Sequence, residues 1–291
     1  MHAGADAAFS VIERIHDLMS LQSADSEISR VNRAPAGATL EIDSHTWRVL
    51  ALAAEIACAS EGAFDVTVGG ATLAHSGMRP HENEIDPRAT FRDIELLVPC
   101  RVRLRKSLVI DLGGIAKGYA VDAAVDALKD LGIPAGSVNA GGDIRAFGSE
   151  PVTVQVRDPG NPALMRANVE LLDQALATSA NYPEDAAFGA AGTVLDPHHG
   201  KSVKSGRSAS VRARTCAVAD ALAKCVLLLG TDSAPALNRY DAKGFMLDAD
   251  SSVVIDSDKQ FERNGLEKRD GWPVLHPPCE VHGPDIRGGS V

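Results

Sequence analysis

The chain has 291 residues, of which 45% are hydrophobic and only 4% aromatic, so its core must rest on aliphatic side chains. Its formal net charge of -10 argues against a nucleic-acid-binding surface, which needs a basic stripe, but it leaves nucleotide binding open. No apolar run approaches the roughly 20 residues that span a bilayer, so we expect no integral membrane segment.

The cellular location is predicted from the first residues and the cysteines. The start of the chain lacks the basic and apolar regions of a signal peptide, and no lipobox is visible. The 5 cysteines show no metal-ligand spacing. These features predict a reduced, cytoplasmic protein, or a periplasmic one if the N-terminus is truncated.

Periodicity and turn residues predict the elements of the first part of the chain. Apolar residues at helical spacing predict a helix over residues 7–20, followed by a polar loop over residues 22–32. Asp43 or Ser44 is expected to cap a second helix that ends before Gly62.

The segment after that helix is rich in turn residues. An extended stretch is predicted over residues 64–68, closed by the pair Gly69-Gly70. Residues 75–92 carry Pro, His, Asn and many charges, so they are expected to form a surface excursion.

The rest of the chain mixes strands and helices without a regular alternation. The predicted strands cover residues 94–98, 107–110, 137–139, 152–156, 169–172, 244–247 and 253–255. One amphipathic helix ends at Gly132, and Asp220 opens another that stops at Gly230. This order predicts an α+β fold, with one domain over residues 1–275 and a disordered tail over residues 276–291.

Residues 111–118 (DLGGIAKG) join a predicted strand to a helix. Paired glycines let backbone amides approach a ligand, and the following helix N-terminus favours an anion. Lys117 falls in the first helical turn, where a cation is unfavourable for the helix dipole unless an anion lies nearby. The alternative is a tight strand–helix connection with Lys117 in solvent.

Further polar positions have a structural and a functional interpretation. The run of residues 139–143 (NAGGD) after a buried strand fits a simple turn, and residues 177–180 (ATSA) fit a polar strand end. Asp220 is either a helix cap or an oxygen ligand for Mg²⁺.

Other polar side chains are predicted to be solvent-exposed. Asp122 and Asp126 fall on the solvent face of their helix, and the adjacent pair His198-His199 fits a surface loop better than a metal site.

Seven blocks, in this order, resemble those of the ApbE family of FAD:protein FMN transferases. They cover residues 20–32, 62–69, 111–118, 139–143, 177–179, 196–200 and 219–222. The similarity extends over roughly residues 7–256. It implies a single large, T-fold-related α+β domain with mixed sheets and packed helices. It also implies Mg²⁺-dependent transfer of the FMN moiety of FAD to a Ser or Thr hydroxyl of a target flavoprotein, with release of AMP.

The resemblance assigns residues to each role by position. Asp220 and Lys117 would be catalytic. Contacts to FAD are implied for Gln22, Ala63, Phe64, Asp65, Asp111, Lys117, Thr178, Ser179, Thr193 and Val194. The metal would be held by the Gly114 carbonyl, Asp220 and a neighbour one helical turn on, at Ala223-Lys224.

This sequence departs from the family pattern at several of these positions. Gln22 stands where the family has a flavin-stacking Tyr, and Thr193 stands at the His of a His-x-x-Asp-Pro motif, so a candidate general base is missing. Ala223-Lys224 replaces a metal-binding Thr, although one branch of the family has Thr-Lys there, and Ala180 replaces a Gly. Three functions therefore stay open: an active transferase, a degenerate FAD-binding protein, and a Mg²⁺-dependent FAD pyrophosphatase.

Overall fold

The computed structural model describes residues 2–77, 85–161, 163–180, 194–203, 206–248 and 252–255. Its helices are α1 His2–Met19, α2 Glu27–Arg33, α3 Ser44–Ala59, α4 Gly69–His75, α5 Ala116–Asp130, α6 Cys216–Leu229 and α7 Ala234–Arg239. No helix among these residues is both long enough and apolar enough to cross a membrane.

The strands alternate irregularly with the helices, as the sequence predicts for an α+β fold. They are β1 Thr39–Glu41, β2 Ile94–Leu97, β3 Arg101–Leu104, β4 Gly136–Ala140, β5 Asp143–Phe147, β6 Val152–Arg157, β7 Met165–Leu171, β8 Ala175–Ala180, β9 Leu195–Asp196, β10 Lys201–Ser202, β11 Arg207–Ala213, β12 Lys243–Asp248 and β13 Ser252–Ile255.

A six-stranded antiparallel sheet forms the centre, in the order β13-β12-β11-β8-β5-β4. Small residues such as Ala177 and Ala209 face α6 in the main core. The alternate residues Ile144, Leu176 and Leu247 face the hairpin β6–β7 in a second, smaller core. Because side chains alternate along a strand, the two faces of one sheet bury two different partners.

Packed helices cover the main-core face of this sheet. Helix α6 lies on β8 and β11, α5 packs against α6, and α1 packs against α5. Two further small sheets, β1-β3-β2 and β9–β10, are also antiparallel. The arrangement places the first turn of α5 beside the start of β5, and the middle of α6 beside the end of β8.

Several predicted elements are confirmed. The helix predicted over residues 7–20 is α1, which begins earlier, and Asp43 caps α3 by accepting a hydrogen bond from the His45 amide at 2.7 Å. The helix after residues 111–118 is α5, and β2, β6, β7, β12 and β13 occur where the sequence predicts strands. The predicted tail, residues 276–291, lies outside the described residues, as do residues 78–84 of the predicted surface excursion.

The polar loop predicted over residues 22–32 is wrong in its second half, which forms α2. The Ser26 hydroxyl accepts a hydrogen bond from the Ser29 amide at 3.1 Å and so caps this helix. Ile28 and Val31 are fully buried. A short helix therefore forms because one cap and two apolar anchors offset its low intrinsic stability.

The strand predicted over residues 107–110 is also wrong, because a side chain takes the place of a neighbouring strand. The buried Asn32 amide donates to the Ile110 carbonyl at 2.9 Å and accepts from the Ile110 amide at 2.8 Å. The backbone ladder here is reduced to an isolated parallel bridge between Val68 and Val109. Residues 64–68 form turns and one bridge residue instead of the predicted extended stretch, and the pair Gly69-Gly70 begins α4 instead of closing that stretch.

Replacing Asn32 with alanine is expected to lower the free energy of unfolding by about 2–3 kcal/mol, because both Ile110 backbone groups would stay buried without partners. Urea denaturation measures this loss. Alanine at exposed Asn168, whose side chain accepts only a 3.4 Å bond from Gln155, is the control and should change stability by less than about 0.5 kcal/mol. Equal effects at the two positions would contradict the assigned role of Asn32.

The strand predicted over residues 137–139 exists as β4, but it lies at the sheet edge and is largely exposed instead of buried. Gly141 and Gly142, with φ of 64° and 98°, form the two-residue turn to β5. Positive φ at both positions is the requirement of a tight hairpin turn. This turn places Asp143 as the first residue of β5, pointing into the molecule.

Candidate functional site

The N-terminal turns of α5 and α6 approach each other so closely that only glycine fits at the crossing. A Cβ atom added at Gly118 would collide with the Cys216 carbonyl oxygen and lie 2.8 Å from the Ala217 amide nitrogen. Gly118 therefore permits a contact between helix backbones, which brings the side chains that flank it on both helices together.

Each helix binds backbone amides of the other through an aspartate. Asp122 on α5 accepts hydrogen bonds from the Cys216 and Ala217 amides at 2.8 and 2.9 Å. Asp220 on α6 accepts from the Gly118 amide at 3.2 Å. These crosswise bonds satisfy amides that a helix N-terminus leaves without intrahelical partners.

The prediction that Asp122 lies on the solvent face is wrong. Its residue is only 7% exposed, because its carboxylate faces the start of α6 and also accepts a bond from Arg145 at 2.9 Å. Burial raises the pKa of Asp122, and the two amide bonds and Arg145 oppose that rise. Asp126, one turn later, is exposed as predicted.

Asp220 does not open its helix, which begins four residues earlier at Cys216 with Thr215 as the N-cap residue. It lies in the second turn of α6 and is fully buried. The ammonium group of Lys224, one turn later, forms an ion pair with Asp220 Oδ1. The same ammonium donates to the Asp220 carbonyl oxygen at 3.2 Å and to the Ser179 hydroxyl at 3.3 Å.

A second ion pair lies between α5 and β5. Lys117 Nζ is 2.8 Å from Asp143 Oδ2, and its side chain is 52% exposed whereas that of Asp143 is 2% exposed. Burial and the nearby Asp220 carboxylate raise the pKa of Asp143 to about 6, although Lys117 and Lys224 oppose the rise. Burial lowers the pKa of Lys117, but Asp220 and Asp143 outweigh it and the net pKa is raised.

Lys117, Asp143, Asp220 and Lys224 form what we call the charge quartet. Two cations and two anions meet where α5, α6, β5 and β8 converge. Such grouped, mutually perturbed ionisable residues are typical of functional sites. The sequence assigns no role to Asp143, although its block of residues 139–143 resembles a block of the family.

The raised pKa of Asp143 predicts a stability that falls as pH rises from about 4 to 6. In that window the unfolded chain ionises Asp143 while the folded chain keeps it protonated. The free energy of unfolding therefore falls by up to roughly 3 kcal/mol as the pH rises. Urea denaturation of Asp143→Asn and wild type across this range should show the variant gaining relative stability with pH. If the difference in unfolding free energy between the variant and wild type did not change with pH, the raised pKa of Asp143 would be contradicted.

Gly114 lies against Phe64 and Lys224, two residues that the resemblance assigns to the site. A Cβ atom at Gly114 would be 3.2 Å from the Phe64 ring and 3.1 Å from Lys224 Cδ. Phe64 and Ala63 are buried, so the aromatic ring, the glycine and the lysine chain form one packed unit. Gly114 thus permits a close approach between segments, whereas a Cβ atom at Gly113 would meet only Asp111 of the same loop.

The carboxylates of Asp65 and Asp111 hold local backbone in place. Asp65 accepts from the Thr67 and Phe91 amides at 2.8 and 3.1 Å. Asp111 accepts from the Gly113 amide at 2.8 Å and so shapes the turn before α5. Both order the loops that carry the predicted FAD contacts.

The remaining predicted contacts lie in several different segments. Thr178 shares a 2.8 Å hydrogen bond with Ser210, Ser179 accepts from Lys224, and Val194 packs on the core beside β9. Gln22 is exposed in the loop between α1 and α2. Thr193 lies outside the described residues.

The side chains of His198 and His199 do not point to a common metal site. His199 Nδ1 is 2.7 Å from Asp196 Oδ2, whereas the His198 ring lies over Gly62. Both histidines are exposed, as the sequence predicts.

The donor set expected for Mg²⁺ does not fit a divalent ion as arranged. Ala223 has only a buried methyl group, and the Lys224 ammonium has no lone pair to offer. The lysine chain lies between Gly114 and Asp220, the other two expected ligands. In the described part of the chain, no three His, Cys, Asp or Glu side chains group as a metal site.

Comparisons with known proteins place these features in one family. A sequence model of the ApbE family matches residues 2–246. A Vibrio cholerae protein named FAD:protein FMN transferase is 29% identical over 242 residues, covering 76% of this chain and 72% of that protein. A Rhodobacter capsulatus protein of the same name is 30% identical, covering 73% of this chain and 44% of that protein.

Solved structures show the same fold. The flavin transferase ApbE from Vibrio cholerae superposes with a TM-score of 0.72 at 23% identity, covering 91% of this chain and 88% of that one. The ApbE protein from Thermotoga maritima gives a TM-score of 0.71 at 25% identity, covering 90% of this chain and 89% of that one.

Proposed function

Because the chain belongs to the ApbE family, we propose that it transfers the FMN moiety of FAD to a Ser or Thr hydroxyl of an acceptor flavoprotein, releasing AMP. The family match and the names of its relatives support flavin transfer. Transfer of the FMN moiety out of FAD leaves AMP as the other product, and the Ser or Thr acceptor is what the family resemblance implies.

In the proposed reaction the acceptor hydroxyl oxygen bonds to the phosphorus on the FMN side of the pyrophosphate. The bond between that phosphorus and the bridging oxygen breaks, AMP leaves with the bonding electron pair, and the hydroxyl proton is released. Negative charge builds on the leaving AMP phosphate. Fixed cations placed at that position stabilise the transition state more than water does.

The observation that carries the proposal is the position of Lys117. Its ammonium lies at the N-terminus of a 15-residue helix, half exposed, and beside Asp143. A helix N-terminus and a cation together make a site for phosphate oxygens. The Asp220 carboxylate on α6 is close enough to raise the pKa of Lys117, and we propose that Lys117 and Asp220 have the catalytic roles.

We propose that the flavin and ribityl portions lie along the neighbouring segments. The proposed contacts are Gln22, Ala63, Phe64, Asp65, Asp111, Thr178, Ser179, Thr193 and Val194. Magnesium dependence, which the family resemblance implies, is not part of the proposal, because the Lys224 ammonium already lies on the Asp220 carboxylate that would hold the ion.

The test incubates the protein with FAD and an acceptor flavoprotein domain, in MgCl₂ and in EDTA. In-gel flavin fluorescence and intact mass detect covalent FMN, and chromatography detects AMP. Lys117→Ala should lower the rate roughly a hundredfold or more. Lys129→Ala, which removes a lysine from the surface pair with Asp173, is the matched control and should keep the wild-type rate.

Other outcomes would identify the two alternatives. FAD binding without AMP would indicate a binding protein, and AMP with free FMN would indicate a pyrophosphatase. Either result across a panel of acceptors would overturn the transferase proposal.

A further inference from the structure

We propose that the Lys224 ammonium serves as the cation of the pyrophosphate site in place of a divalent metal ion, so that this chain binds FAD without Mg²⁺. The inference rests on the proposed function only in taking FAD as the ligand. It concerns how the site is charged, and it can be measured without turnover.

The ammonium is held as an ion would be, by oxygens on several sides. Its acceptors are Asp220 Oδ1, the Asp220 carbonyl at 3.2 Å and the Ser179 hydroxyl at 3.3 Å. An ammonium group has three protons, so each oxygen has one donor. Lys224 is 17% exposed and Asp220 1% exposed, so the pair lies at the inner end of the site.

The two longer bonds leave the cation able to contact a ligand. Hydrogen bonds from an ammonium to an anionic oxygen are normally about 2.7–2.9 Å. At 3.3 Å the neutral Ser179 hydroxyl is a weak acceptor, and a phosphate oxygen arriving from the exposed side can replace it. The ion pair with Asp220 would stay in place during that exchange.

The spacing along α6 explains why a lysine fits this position. Residues four apart lie on the same face of a helix, so the side chain one turn after Asp220 reaches its carboxylate. The Lys224 chain passes Gly114, whose hypothetical Cβ atom would be 3.1 and 3.2 Å from Lys224 Cδ and Cε. The lysine thus fills the space between Gly114 and Asp220, and a metal ion would have to displace it.

The charges around the site are consistent with an ammonium group in place of a metal ion. Lys117 and Lys224 balance Asp143 and Asp220, so the charge quartet has no net charge with the ammonium alone. A divalent ion between Gly114 and Asp220 would require the Lys224 side chain to leave that space. A buried carboxylate with an ammonium in place has no remaining need for a metal counter-ion.

The experiment measures FAD binding by quenching of flavin fluorescence, in EDTA and in MgCl₂, for wild type, Lys224→Thr and the surface control Lys129→Thr. We expect wild type and the control to bind FAD with the same Kd, within about twofold, in both solutions. Lys224→Thr leaves Asp220 uncompensated and supplies a hydroxyl instead, so Mg²⁺ should improve its affinity at least about tenfold.

Titration of wild type with Mg²⁺ in a calorimeter gives a second readout that needs no variant. No binding heat is expected at the concentrations that rescue Lys224→Thr. A wild-type Kd for FAD that weakens about tenfold or more in EDTA, no FAD binding in either solution, or stoichiometric Mg²⁺ binding, would overturn the inference. FAD binding that is equal in both solutions, with no flavinylated product, would instead uphold it and refute the transferase.

Discussion

Asp220→Ala is expected to abolish AMP release and to lower the free energy of unfolding by about 3–5 kcal/mol. The substitution leaves the ammonium of Lys224, only 17% exposed, without its carboxylate. It also leaves the Gly118 amide without a partner. Loss of an ordinary helix cap would cost only about 1 kcal/mol. Thermal or urea denaturation therefore distinguishes a buried ion-pair partner from a simple helix cap.

The double variant Asp220→Ala/Lys224→Met is the control for this prediction. Removing both partners of a buried ion pair leaves no uncompensated charge, so most of the lost stability should return. Activity should stay absent, because both the carboxylate and the ammonium of the site are gone. Recovery of AMP release in the double variant would show that the single substitution acts only through the fold.

Asp122→Ala is expected to destabilise the protein by about 3–5 kcal/mol, although the sequence places it on a solvent face. The Cys216 and Ala217 amides would lose their acceptor, and Arg145, with a side chain 13% exposed, would lose its closest carboxylate. Urea denaturation measures this loss of stability: the midpoint should fall while the dependence of the unfolding free energy on urea concentration stays unchanged.

Asp126→Ala is the matched control, because it removes the same group one turn along the same helix. Its side chain is 67% exposed and lies 3.8 Å from the same arginine. An exposed pair of this kind contributes at most about 1 kcal/mol. If the two substitutions cost the same, the crosswise bonding of α5 and α6 contributes little to stability.

Helices whose signals are local could be predicted from the sequence. The cap at Asp43 and the apolar spacing of α1 and α5 lie within single turns, and they predicted these elements to within a few residues. The order of seven short blocks, each a local pattern, indicates the family without reference to the fold. Both kinds of information are carried by neighbouring residues.

Two of the errors, at residues 107–110 and at Asp122, share a different cause, since each involves a partner far away in the chain. Asn32 bonds Ile110 across 78 positions, and this bond replaces the predicted strand. Asp122 bonds Cys216 across 94 positions and is buried for that reason. No local pattern contains such pairings, because the tertiary fold creates them.

The candidate site was partly predictable. The spacing of Asp220 and Lys224 is that of a helical ion pair, so their contact could have been inferred from the sequence alone. The pairing of Lys117 with Asp143 could not, because it requires the turn between β4 and β5 to direct Asp143 towards α5.

The crosswise aspartates also determine how the site opens. Fraying the first turn of α5 breaks the bond from the Gly118 amide to α6, and fraying α6 breaks the bonds from the Cys216 and Ala217 amides to α5. We therefore expect the two helix starts to open as one cooperative unit, so that hydrogen exchange gives one opening free energy for these three amides. Lys117 lies in the first turn of α5, and Lys224 is paired with Asp220, which bonds the Gly118 amide of that turn. While this unit is intact, both cations therefore stay in position before any ligand binds.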